Sequence, residues 1–225
     1  MIKLYDYADK PGQWAVSIAR PGYPYIVISA FITFVFALLG LTILALTGIF
    51  ITLFILYFFR DPDRVTPSDP KAIISPADGK VILAEDIDDN PYLEGPCKRI
   101  SVFMNVFNVH VNRNPCDGKI VETFYQPGKF FSANLDKAAM SNEHNAIVID
   151  SLKGKRLCVV QIAGLIARRI ICNLQPGDDV KKGARFGMIC FGSRLDIYLP
   201  DSCLLNVQVG EKVLAGTSIL AFFQK

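Results

Sequence analysis

The chain has 225 residues, 51% of them hydrophobic, and a formal net charge of +3. That length accommodates one sizeable domain plus a membrane anchor. So small a positive charge, with no zinc-finger or RNA-binding motif, excludes a nucleic-acid binder built on a basic surface, while it suits an anionic membrane face.

Residues 1–24 are polar and mixed, with Tyr5 and Trp14 as candidate interfacial anchors, and read as a cytoplasmic segment. No signal peptide is expected, because the apolar segment starts late, is long, and has no small-residue cleavage site after it. From Tyr25 to Phe59 no residue is charged. One membrane span needs about 20 residues, so this run is too long for one upright helix and slightly short for two. Two arrangements stay open: a tight helical hairpin broken at Gly40 or Gly48, or one long tilted span with an interfacial extension. Lys10 and Arg20 before the run, and Arg60, Arg64 and Lys71 after it, favour the hairpin with both ends cytoplasmic. Arg60 and Arg64 fall at headgroup level, where the expected role is a snorkelling anchor. The expected organisation is 1–24 cytoplasmic, 25–59 membrane anchor and 60–225 a β-rich domain.

After Lys71 the pattern turns to β. Ile73-Ile74 and Val81-Ile82-Leu83 flank Pro76-Ala77-Asp78-Gly79, a hairpin-turn signal. Val109-His110-Val111 alternates. His110 then faces a cleft if the valines pack inward, or is a core histidine with a hydrogen-bond partner if they do not. Ser132 to Ala139 has the composition of a short helix, and Asn142-Glu143-His144 precedes the strand Ala146–Ile149. Leu157 to Ile171 reads as a strand pair or one bent strand about Gly164, and Arg168-Arg169 suit either a phosphate or a solvated surface. The six cysteines form no C-x-x-C and there are only two histidines, which argues against a metal. Most of the cysteines lie in apolar stretches, as the buried thiols of a reducing compartment do.

The last third contains a repeat. Gly177 to Gly183 and Gly210 to Gly216 share Gly-x-x-Val-x-x-Gly. The pattern resembles a biotinyl/lipoyl-type barrel-sandwich hybrid, but no Met-Lys-Met carrier lysine accompanies it. Between the repeats, Phe186–Phe191 is apolar and Leu195, Ile197 and Leu199 alternate. Gly192-Ser193 therefore interrupts what reads as one strand. A strained Gly-Ser bond suits backbone chemistry: Ser193 Oγ attacks the Gly192 carbonyl, which no side chain obstructs.

Six stretches, in order, carry a resemblance: Ser75–Gly79, Phe107–Arg113, Pro127–Phe131, Asn142-Glu143, Gln161–Arg169 and Phe191–Arg194. Together they resemble the phosphatidylserine decarboxylase family, in its short bacterial and archaeal branch. The resemblance implies a mainly β (α+β) catalytic domain and a pyruvoyl group made from Ser193 after self-cleavage between Gly192 and Ser193. The two resulting chains are expected to stay associated. It also implies His110 as base, Asp78 as its acidic partner, and phosphatidylserine and membrane lipid as partners at the cytoplasmic face of the cell membrane. A homo-oligomer is plausible from the resemblance alone. An electron sink is needed in any amino-acid decarboxylation, and 225 residues leave no room for a pyridoxal-phosphate fold beside the anchor. Candidate substrate contacts are Arg113, Arg168, Arg169 and Lys129. Longer family members have His-x-x-His where this chain has His110-Val111-Asn112-Arg113, and Leu-Gly-Ser where it has Phe191-Gly192-Ser193. His144 stands where the family commonly has Arg and is left out of the catalytic set. An archaeal-type ether-linked serine lipid is an alternative substrate. A membrane-tethered binding module without chemistry is a further alternative, and it requires that Ser193→Ala change nothing.

Overall fold

The computed structural model describes residues 5–7, 17–129, 141–164, 169–190 and 193–224. The expected helix at 132–139, Trp14, Arg168 and Gly192 lie outside these. The chain forms two compact units, one of residues 11–63 and one of residues 1–10 with 64–225. In chain order the elements begin with β1 (Tyr5–Tyr7), α1 (Tyr23–Leu38), α2 (Thr42–Phe58), β2 (Val65–Pro67), β3 (Ala72–Ile74) and β4 (Gly79–Ile87). There follow β5 (Cys97–Met104), β6 (Val111–Arg113), β7 (Gly118–Gln126), β8 (His144–Ser151) and β9 (Arg156–Ala163). The last are β10 (Ile170–Cys172), β11 (Asp179–Val180), β12 (Arg185–Ile189), β13 (Ser193–Pro200), β14 (Leu204–Leu205), β15 (Lys212–Val213) and β16 (Ile219–Phe222).

In the smaller unit α1 and α2 run antiparallel. Ser29 Oγ lies 2.7 Å from Thr52 Oγ1, and a Cβ on Gly48 would overlap Thr33 Oγ1. The hairpin breaks at Gly40, whose φ of 70° an L side chain resists. Gly48, the other candidate break, sits inside α2 as a close-packing residue. Arg20–Leu38 is long and apolar enough to cross a membrane, and Thr42–Phe58 is a shorter apolar helix.

The larger unit is mostly β. Its main sheet is antiparallel and eight-stranded, in the order β11-β7-β8-β9-β13-β5-β4-β15. Two three-stranded sheets, β10-β12-β6 and β14-β16-β3, accompany it. Inward residues of the main sheet, among them Val102, Ile147, Val159, Leu195 and Ile197, share one core with Ile73 and Phe186. Ala146, Val148, Cys158, Val160 and Tyr198 cover the other face. All six cysteines are thiols, five of them buried.

This unit is built of two like halves, and the sequence repeat noted above is only part of the likeness. Ser75-Pro76-Ala77-Asp78-Gly79-Lys80-Val81 matches Asn114-Pro115-Cys116-Asp117-Gly118-Lys119-Ile120. Each Asp-Gly opens a long strand that bulges at the same place, after Val81 and after Ile120. Each Gly-x-x-Val-x-x-Gly lays a two-residue strand on that edge: β15 on β4, β11 on β7. Gly177 and Gly210 both have φ of 100°, and Gly183 and Gly216 have 82° and 77°. Asp78 Oδ1 accepts the Ala215 N–H at 2.7 Å, and Asp117 Oδ1 accepts that of Lys182 at 2.8 Å. The expected hairpin across Asp78-Gly79 does not form. β3 pairs with β16 and β4 with β5, so the turn carries the chain between sheets.

Candidate active site

Ser193 is the first residue of β13, opposite Met104 of β5 and Ala163 of β9. The strand expected to run through Gly192-Ser193 is in fact two. β12 pairs with β6 and β10, whereas β13 lies in the main sheet. The chain leaves one sheet at the end of β12, Ile189, and enters another at the start of β13, Ser193. Ser193 points with Leu195 and Ile197 to the inner face. It is wholly buried, and its Oγ has no hydrogen-bond partner among the described residues.

The opposite face of β13 begins with Arg194 and Asp196, both wholly buried. Arg194 Nε and Nη2 donate to Asp196 at 2.6 and 2.9 Å, and Nη2 also donates to Ser101 Oγ at 2.9 Å. This fork ties the start of β13 to β5.

His110 is wholly buried between Val109 and Val111, which are buried as well, so alternation does not choose its surroundings. Its Nδ1 lies 3.0 Å from the Asn108 carbonyl oxygen. A carbonyl only accepts, so in the neutral ring Nδ1 carries the proton and Nε2 the lone pair, as a general base requires. The His110 carbonyl in turn faces the Ile189 N–H at 3.4 Å, close to the sheet change.

Asp78 is buried and accepts from Arg64 Nη2 at 2.8 Å on the oxygen that Ala215 leaves. Arg64, expected as a lipid anchor, is therefore an ion-pair partner inside the larger unit, with its side chain 16% exposed. Arg113 joins this turn. Its N–H donates to Pro76 O at 3.0 Å, its Nη1 donates to Gly183 O at 3.0 Å, and its Cδ would stand 2.8 Å from a Cβ on Gly216. The structure thus brings Asp78, Arg64 and Arg113 together. Lys129 and Arg169 have exposed side chains. The Lys129 backbone bonds to Ser141 and Glu143, and the Arg169 carbonyl accepts from Cys190 N at 3.2 Å. His144 faces the side of the sheet opposite Ser193, in a cleft with Tyr92, Arg99 and Tyr198.

Three amides escaped the sequence reading as site residues, although two of them stand in the matched stretches. Asn145 Nδ2 donates to Gln161 Oε1 at 3.2 Å. Gln161 Nε2 donates to Asn112 Oδ1 at 2.9 Å and to the Ile171 carbonyl at 3.3 Å. Gln161 lies across from Leu195, one pleat along the inner face from Ser193.

A family model described as phosphatidylserine decarboxylase matches residues 51–221. The phosphatidylserine decarboxylase proenzyme of Desulfotalea psychrophila is 51% identical over 205 residues, covering 91% of this chain and 96% of the relative. Those of Syntrophus aciditrophicus and Geotalea uraniireducens are 50% and 47% identical, over 92% and 90% of this chain and 97% and 95% of their own lengths. With half its residues shared along nearly its whole length, the chain belongs to the phosphatidylserine decarboxylase family of proenzymes.

Proposed function

We propose that Ser193 is the serine converted to the pyruvoyl group, and that the enzyme so formed decarboxylates phosphatidylserine to phosphatidylethanolamine. The observation that carries this assignment is the state of Ser193. It is a wholly buried hydroxyl without a protein partner among the described residues, at a strand start where the chain changes sheet. A buried hydroxyl left unpaired costs stability and calls for another use. The site fits the group: Ser193 is held by ladders to both neighbouring strands, so its position does not depend on the bond that precedes it.

His110 Nε2 takes the Ser193 hydroxyl proton while Oγ bonds to the carbonyl carbon of residue 192. The C–N bond breaks, the proton passes to the amine, and an ester remains. Loss of the Ser193 α-proton eliminates that ester and frees the carboxylate of chain 1–192. Water then converts the dehydroalanine end of chain 193–225 to a pyruvoyl group and ammonia. The ketone supplies the electron sink that loss of carbon dioxide requires. The Asn108 carbonyl holds the Nδ1 proton of His110. Asp78, whose two oxygens accept from Ala215 and Arg64, is the acidic partner on the family resemblance. His110 also returns a proton to the head-group carbon. Arg113 shapes the site wall rather than meeting solvent; Lys129 and Arg169 are exposed cations suited to a phosphate.

The cut leaves the small chain held in place: β13 is paired on both edges, β15 lies on β4, and β16 lies on β3. The paired halves support a barrel-sandwich-hybrid kinship, with the Gly-x-x-Val-x-x-Gly turns as its recurring element. The helical hairpin anchors the chain in the bilayer. Helices of 16 and 17 residues span about 24 and 26 Å, close to the ~30 Å hydrocarbon core. A hairpin returns to the face it left, and its basic flanks make that face cytoplasmic.

Intact mass of the denatured protein beside Ser193→Ala tests the assignment. The expected result is two chains, the small one lighter by one ammonia than a fragment beginning with serine, and an uncut variant. An uncut wild type that is folded overturns it.

A further inference from the structure

We propose that Asn112 Nδ2 donates a hydrogen bond to the oxyanion formed when Ser193 attacks the preceding carbonyl, and that Gln161 is the residue that aims it. This inference rests on the assignment of Ser193 as the self-cleaving serine.

Ile171 O can only accept, so the Gln161 amide must present its nitrogen on that side. The same nitrogen meets Asn112, which must therefore offer its oxygen. Asn145 Nδ2 meets the Gln161 oxygen and agrees with this orientation. The Asn112 NH₂ is thereby turned away from the chain of amides. It is buried and has no acceptor among the described residues. Three amides aligned head to tail polarise one another, which strengthens the donor at the open end.

Gln161 brings this chain of amides to the face that carries the nucleophile. Ser193 pairs with Ala163 and Leu195 with Gln161, so Gln161 and Ser193 are diagonal neighbours on one face, about 7–8 Å apart at the backbone. Asn112 is two residues from His110 on β6 and stands opposite Gly187 of β12. A Cβ on Gly187 would meet Gln161 Nε2 at 3.1 Å, so the backbone comes close to the amide chain here.

The symmetry of the two halves shows that the scaffold does not need these amides. Following the paired ladders, Gln161 corresponds to Leu199, and Asn112 to Ile73. Leu199 and Ile73 are wholly buried members of the apolar core. One half thus carries amides where its mate carries a leucine and an isoleucine. A buried donor with no acceptor among the described residues gains one when negative charge appears on the carbonyl oxygen, so its bond is made in the transition state.

The Ser193 Oγ–H proton goes to His110 Nε2, the new O–C bond pushes the carbonyl electron pair onto oxygen, and Asn112 Nδ2 holds that charge until the C–N bond breaks. Asn112→Asp keeps the shape and the acceptor for Gln161 but removes the donor. Gln161→Leu places at this site the residue its symmetry mate carries, so it keeps the fold while freeing the Asn112 amide to turn.

The test follows cleavage by mass from the moment of synthesis in the full-length chain, with thermal unfolding compared against Ser193→Ala. The expected result is precursor of both variants persisting about 10²–10³-fold longer than wild type. Hydroxylamine, which splits an ester and spares an amide, should not hasten their cleavage, because the donor acts before the ester forms. Either folded variant cutting at the wild-type rate overturns the inference, as does rapid splitting of the precursor by hydroxylamine. Gln161→Leu decides alone if Asn112→Asp fails to fold. A wild type that stays whole overturns the Ser193 assignment and this inference with it, whereas an uncut Ser193→Ala beside a freely cut Asn112→Asp overturns only the latter.

Discussion

Asp78 and Asp117 do the same local work, each accepting the N–H of a repeat turn, but Asp78 also binds Arg64 with its second oxygen. Asp78→Asn keeps the acceptor for Ala215 and removes the charge opposite Arg64. It should cost about 1–3 kcal/mol in denaturant unfolding, in line with hydrogen bonds to charged groups. It should also slow cleavage, whereas Asp117→Asn should cut at the wild-type rate; equal rates in the two variants would remove Asp78 from the catalytic set. The Asp78-Gly79 pair is locally a hairpin signal, and nothing near it in the chain shows that Arg64 and Ala215 meet there. Ser193 was legible as a candidate because the bond chemistry needs only two neighbours in sequence. Gln161 and Asn112 were not, since an amide in a strand looks like any polar residue until its partners are known.

At the scale of elements, β13 is pinned by a buried ion pair. Arg194→Met leaves Asp196 charged and unpaired in the sheet, which should destabilise by about 3–5 kcal/mol. Arg194→Met with Asp196→Leu should recover most of that loss, because the desolvation of both charges goes with them. A double-mutant cycle by urea unfolding measures the difference. The hairpin makes a separate prediction. Cysteines replacing Ser29 and Thr52, whose oxygens are 2.7 Å apart, should cross-link under mild oxidant. Adding Gly48→Leu should abolish the link, since its Cβ alone would overlap Thr33. The hairpin was legible from an uncharged run with basic flanks, whereas its break was narrowed to Gly40 only by φ. The division of the expected Phe186–Leu199 strand was not legible, because both pieces are apolar and a change of sheet leaves no mark on residue type.

For the whole molecule, burial of thiols sets an alkaline limit. Burial pushes the Cys116 thiol up from 9.0 to about 12, and the Cys97 and Cys203 thiols to about 11. Each raised group contributes stability that is complete below the unfolded value near 9 and is lost as pH climbs toward the folded value. The loss is at most about 1.4 kcal/mol per pH unit for each thiol. Burial lowers the Lys182 amine and works in the opposite direction, but it is one group against six thiols that burial raises. The thermal midpoint should therefore fall between pH 9 and 11, and Cys116→Ala should flatten that slope. A midpoint level across the interval would contradict the burial of these thiols.

The sequence by itself determined the long apolar segment, the Gly192-Ser193 pair as the candidate cleavage bond, the ordered family motifs and one of the two internal repeats. Each of these is written in composition, covalent order or short spacing. Only the tertiary structure decided that Asp78 meets Arg64, that Gln161 bonds Asn112 and Asn145 in one chain of amides, and that two like halves share one curled sheet. The reason is physical. In a β fold the partners of a side chain are chosen by register between strands far apart in the chain, and register has no local signature beyond an alternation that every strand shares.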